Sequence, residues 1–147
     1  MSPETRNFGA AAGDAMALEF RVNAIAPLAL VEAFADKVAA SEMKVVALQS
    51  SRMGSIADNG SGGGYGYRGS KAALNAIGKS LSLDLADRGI VVLILHPGWV
   101  RTDMGGPNGQ LTVQESVEGQ LDLIARAYGN PAMSGRFFHV SGQDLPW

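Results

Sequence analysis

The sequence contains no cysteine, which excludes disulfides and thiolate metal sites. It has two histidines, His96 and His139, far apart in the chain, too few for a histidine-built zinc site to be expected. Basic excess is also missing: the net charge is −2, whereas a nucleic-acid surface calls for clustered cations. No stretch is long and apolar enough to cross a bilayer. The longest apolar run, Ala24 to Leu30, contains Pro27 and stops at Glu32, against the roughly 20 residues a spanning helix needs. Met1 to Asn7 lacks the apolar core of a signal peptide. A cytoplasmic, soluble protein is therefore expected, with neither nucleic acid nor membrane as a partner and with no metal.

What is present suits one domain with a core: 147 residues, 46% of them apolar and 18% charged. Residues 1–13 are small and polar and read as a loop or frayed end. From Asp14 to Ala40 a helical pattern runs through Leu18, Val22, Ala26, Leu30 and Phe34, four apart each time. Pro27 inside it should kink the helix and free the carbonyl of Asn23. An Asn there either satisfies the local backbone or serves a site. Lys44 to Leu48 is a short β-branched run that reads as a buried strand, ending at Gln49-Ser50-Ser51. A serine beyond the carboxyl end of a strand is placed for chemistry in an open α/β sheet, and equally for starting a turn.

Residues 52–65, with Gly60-Ser61-Gly62-Gly63-Gly64, read as a mobile loop. Gly64 to Gly69 matches G-x-G-x-x-G, but the strand that should lead directly into such a turn ends well upstream. The match is therefore read as accidental. A helix follows over about 66–88, with Leu74, Ile77, Leu81 and Leu85 as its apolar stripe and Gly89 as its stop. Tyr67 and Lys71, four apart at its head, share one face. A cation beside a phenol favours the phenolate and makes a proton-transfer pair; the same spacing also occurs on ordinary solvated faces. Ile90 to Leu95 is an unbroken apolar strand of the kind covered on both faces. His96 to Asp103 leaves it as a loop. Thr112-Val113-Gln114-Glu115 has the capping-box form for a helix to about Tyr128, with Val113, Val117, Leu121 and Ile124 expected inward. Gly135 to Val140 reads as a last strand. Alternation of strand and helix predicts an α/β fold: a parallel sheet with right-handed crossovers and helices on both faces. No G-x-S-x-G elbow is present, so a serine hydrolase is not indicated.

Asn23, Ser51, Tyr67 and Lys71, followed by Pro97-Gly98 and Thr102, occur in the order found in the C-terminal part of a short-chain dehydrogenase/reductase, which this chain resembles. Ser50 to Ile56, Tyr67 to Asn75 and the closing Leu145-Pro146-Trp147 are similar to the branch of C-factor and sniffer-like carbonyl reductases. The resemblance begins at about Phe20. It implies the C-terminal portion of a doubly wound Rossmann-type sheet, three strands of seven, forming a single partial domain. The family's T-G-x-x-x-G-x-G turn does not occur before Asn23, so the N-terminal cofactor half is missing from this sequence.

The resemblance also implies roles. Tyr67 would be the acid/base as hydride moves between NADP or NAD and a carbonyl or alcohol carbon, with NADP slightly favoured. Ser51, with Ser50 as its neighbouring alternative, would hydrogen-bond the carbonyl oxygen. Lys71 would favour the ionised Tyr67 and hold the nicotinamide ribose, and Asn23 would position a water that extends the proton relay. Pro97, Gly98, Val100 and Thr102 would hold the carboxamide. Helices 14–40 and 66–88 would make a homo-oligomer face. Lys44 to Leu48, lacking its neighbouring strand, would expose an edge. Two functions are compatible: an oxidoreductase inactive as this isolated chain, or a non-enzymatic C-factor-like signalling or interaction fragment.

Overall fold

A computed structural model describes residues 5–10 and 12–147. The loop expected over 1–13 therefore lies outside the described residues at 1–4 and 11. A helix opens at Gly13. It runs as α1 (Gly13–Phe20), a wide turn over Arg21–Ile25 and α2 (Ala26–Ala40). The wide turn replaces the expected kink. Pro27 has no N–H to give the preceding turn, and the backbone opens by one residue there, so that the Ala26 N–H bonds Arg21 O, five residues back. Asn23 sits in the middle of this bulge.

Strands β1 (Val45–Gln49), β2 (Val91–His96) and β3 (Arg136–His139) form one parallel sheet in the order β1-β2-β3. Val45 pairs with Val91 and Leu93 with Arg136. Helix α3 (Tyr65–Asp84) links β1 to β2, and α4 (Val113–Ala127) lies between β2 and β3. The expected three strands with helices on both faces are all present. One core joins Leu48 and Val92 to Leu74, Leu81 and Leu85 of α3, with Leu28, Val31 and Val38 of α2. The other joins Leu93, Leu95 and Phe138 to Leu123 and Ala127 of α4.

The orientation of α4 departs from the sequence expectation, whereas the G-x-G-x-x-G match proves accidental as expected. Val113, Val117 and Leu121 of α4 do not point inward: Leu121 is 58% exposed and the other two are also exposed. The helix instead meets the sheet side through Ser116, Gly119, Leu123 and Ala127. A Cβ on Gly119 would lie 2.6 Å from Val140 O, so close approach of small residues decides which side faces in. The G-x-G-x-x-G match has no strand before it. Gly66 and Gly69 lie within α3, and Cβ atoms there would meet Thr5 at 2.9 Å and Phe20 at 3.1 Å. These glycines let α1 and its N-terminal approach pack against α3.

Candidate active site

The carboxyl ends of β1 and β2 open into a cleft of about 1210 Å³, and every site residue expected from the sequence lines it: Asn23, Ser51, Tyr67, Lys71, Pro97, Gly98, Val100 and Thr102. Parallel strands place their exits on one edge. The first turn of α3 brings Tyr67 and Lys71 to the same edge.

Lys71 Nζ stands 5.9 Å from the centre of the Tyr67 ring, within cation–π reach, and donates to the Gln49 carbonyl at 2.9 Å. The last residue of β1 thus anchors the ammonium beside the phenol. Burial pushes the Lys71 pKa down from its ordinary value. Asn23 does not touch Lys71 directly. Its amide donates to Ser70 Oγ at 3.0 Å, and Ser70 donates to the Tyr67 carbonyl at 2.9 Å. The bulged turn is therefore tied to the turn of α3 that carries the tyrosine.

Both serines are buried and both line the cleft, but they differ in their partners. Ser50 is buried and donates to Asn75 Oδ1 at 2.5 Å. Ser51 Oγ accepts the Met53 N–H at 3.2 Å, which leaves its hydroxyl hydrogen available to a substrate oxygen. Across the cleft, Ser116 donates to the Pro97 carbonyl at 2.6 Å and fixes the turn after β2. Gly98 has φ +80°, and a Cβ there would lie 2.5 Å from Leu111 Cδ1, so the turn admits only glycine without rearrangement. Leu111 holds the following segment by bonds to Trp99 O and from Arg101 N–H. Thr102 Oγ1 accepts from Gly105 N–H at 3.1 Å.

His96 closes the floor. Its Nδ1 is buried with no hydrogen-bond partner among the described residues, and its ring lies 5.4 Å from that of His139. Burial, the neighbouring His139 and Arg52, in that order, lower its pKa from 6.5 to about 4. Ser70, Asn75 and Ser116 are structural members of the site that the sequence did not single out. Ser70 adjoins Lys71 and Asn75 follows one turn later, but Ser116 carries no signal beyond standing next to a capping glutamate. No group of three or more metal-ligating side chains occurs among the described residues.

Ser51, the Tyr67–Lys71 pair and the Pro97-Gly98 turn thus lie together at the strand exits of a Rossmann-type parallel sheet. A family model described as enoyl-(acyl carrier protein) reductase matches residues 1–128, and the chain belongs to the short-chain dehydrogenase/reductase family. It is 47% identical over 132 residues to C-signal of Myxococcus xanthus, covering 90% of this chain and 78% of that one. Among solved structures it is similar to the carbonyl reductase Sniffer of D. melanogaster, with TM-score 0.90 and 34% identity, covering 100% of this chain and 63% of that one. It is also similar to an NADPH-bound carbonyl reductase from chicken fatty liver, with TM-score 0.86 and 32% identity, covering 97% and 61%. The chain thus spans less than two thirds of these two structures.

Proposed function

We propose that this chain carries the proton-handling half of an NAD(P)-dependent reductase acting on a small carbonyl or alcohol substrate, with Tyr67 as acid/base. The observation that carries the proposal is Lys71 Nζ held between the Tyr67 ring and the Gln49 carbonyl. Ser51 donates to the substrate oxygen and stabilises charge developing there. Asn23 and Ser70 hold the tyrosine's turn in place, and Asn23 positions a water that passes protons towards Lys71.

The nicotinamide end of a dinucleotide fits the residues present: the turn at Pro97-Gly98 is rigid, and Val100 and Thr102 line the same cleft. When bound, that group supplies or accepts the hydride. Lys71 would hold its ribose. The likeness to an NADPH-bound reductase supports NADP ahead of NAD. No glycine-rich turn passes directly from a strand into a helix among the described residues, and none of them is assigned to the pyrophosphate or adenylate. By itself the chain is proposed to be inactive at ordinary NADPH concentrations.

The test uses reduced nicotinamide mononucleotide, which needs no adenylate site, at saturating concentration with an aromatic aldehyde. The 147-residue chain should turn over slowly, and Tyr67→Phe should abolish turnover with an unchanged circular dichroism spectrum. Retained turnover in that variant would falsify the acid/base assignment. A second reading, a protein that acts by binding a partner, rests on the 47% identity to a protein named C-signal. A folded chain with no turnover under these conditions would favour it.

A further inference from the structure

The two residues proposed to touch the substrate oxygen are each followed by an arginine, Ser51 by Arg52 and Tyr67 by Arg68, and both arginines line the cleft. The fold holds them on one wall. Arg52 forks onto Asp58, through Nε and through a second bond from its outer nitrogen at 3.3 Å. Arg68 donates to the Met53 carbonyl at 3.3 Å and to Ser61 Oγ at 2.9 Å. Neither acceptor of Arg68 is a carboxylate. Its Nε is buried with no hydrogen-bond partner among the described residues.

Asp58 is thus the one carboxylate bonded on this wall, paired with Arg52 alone, and its pKa is lowered first by the Arg52 hydrogen bond and last by the charge of Arg68. Asp103, the other carboxylate lining the cleft, belongs to the loop after β2. The wall beside Ser51 and Tyr67 keeps an uncompensated positive charge. Its reach is visible on the floor, where Arg52 disfavours protonation of both His96 and His139. The Arg52 side chain remains 58% exposed, so its outer face is open to a ligand. A planar guanidinium recognises a carboxylate or phosphate through paired N–H donors.

We infer that the site takes a carbonyl or alcohol substrate that also bears an oxyanion group, carboxylate or phosphate, seated on the Arg52–Arg68 wall. This rests on the reductase reading for which bond reacts, but the anion preference is a binding property and is tested without cofactor. Residues 52–68 alone carry it: two arginines clamped in place and one carboxylate, paired with Arg52.

The experiment titrates the 147-residue chain with three aldehydes of one shape: 4-carboxybenzaldehyde, 4-formylphenyl phosphate and the neutral methyl 4-formylbenzoate. Binding is read by NMR at the indole N–H of Trp99, which lines the cleft, with the backbone amide of Leu123, buried in the α4 core, as the control signal. At low salt at least one anion should bind about ten-fold tighter than the ester, with the preference shrinking as ionic strength rises. The acid and the phosphate separate the two oxyanion sources. Arg52→Gln should bring the ratio of anion to ester affinity close to one, and Arg52→Lys should keep part of it. Because Arg52 also braces its loop, Asp58→Asn provides the opposite arm: removing the lone carboxylate should raise the preference. Equal affinities for ester and anions, no binding of either anion at millimolar concentration, or a ratio indifferent to both substitutions would overturn the inference. Failure of turnover with an intact anion preference would count against the reductase reading alone.

Discussion

Ser50 and Ser51 carry the same side chain and are separated by one step of a strand's alternation. Ser50 turns into the core onto Asn75, whose amide nitrogen has no partner among the described residues, while Ser51 turns to the cleft. Spacing left both open as the site serine, because alternation says that neighbours diverge without saying which faces the ligand. Ser50→Ala should cost about 1–3 kcal/mol in urea unfolding, since it leaves a buried amide unpaired. Ser51→Ala should cost less stability and more turnover. His96 makes a second prediction at this scale. Its folded-state pKa is depressed to about 4 from 6.5, so the native state binds fewer protons than the unfolded one between those values. The stability it contributes is complete above pH 6.5 and is lost as pH falls through 4. His96→Phe should flatten that limb of a stability-against-pH curve. The sequence offered no clue to this depression, which comes from burial between β2 and β3.

Among the elements, α3 was legible in its apolar stripe and in the shared face of Tyr67 and Lys71, but not in its end: it stops at Asp84, and Gly89, the expected stop, instead caps the short 3-10 turn Ala86–Arg88. Helix α4 was legible in extent and capping, since Thr112 and Glu115 exchange the expected bonds, but not in orientation. Amphipathic spacing identifies an apolar side and does not identify its partner. Ser116, Gly119, Leu123 and Ala127 face the sheet, Gly119 where close approach needs a small residue, and Val113, Val117 and Leu121 are left outside. The same holds for Leu18 of α1, Val22 of the wide turn, and Leu30 and Phe34 of α2, of which Leu18 is 59% exposed. If this stripe pairs with a second copy together with α3, light scattering should show an oligomer and Phe34→Glu should shift it towards monomer. A monomeric wild-type chain would count against that face. The bulge at Arg21–Ile25 was foreseen only as a disturbance at Pro27, because a proline specifies the missing donor and not how the turn absorbs it.

For the whole molecule, the accessible surface is 8342 Å², against roughly 7100 Å² for a compact protein of this size. The excess agrees with an uncovered α4 stripe and with the bare side of β1, where Ala47 and Gln49 are exposed. Such an edge invites pairing with another strand. Ala47→Lys should therefore slow aggregation on heating, measured by turbidity, with little effect on the folded spectrum. The strand order itself was readable from the alternation of strand and helix patterns. On the proposal that the isolated chain does not hold the adenylate, calorimetry should show NADPH binding the 147-residue chain no tighter than millimolar.

The far end of the chain returns to the cleft. Leu145 N–H bonds Phe137 O, the Trp147 ring lies over Phe137 at 5.7 Å, and the Trp147 carbonyl accepts from the Ala57 N–H at 2.9 Å. Ala57 adjoins Asp58, the partner of Arg52. The loop bearing the cationic wall is thus clasped by the tail, whose base is fixed by the Leu145–Phe137 bond and the Arg136–Asp144 ion pair and whose tip rests on the stacking of one indole on one phenyl ring. In hydrogen exchange, the Ala57 amide should open at the rate at which Trp147 lifts from Phe137, and Trp147→Ala should speed that exchange while leaving the amides of β2 slow.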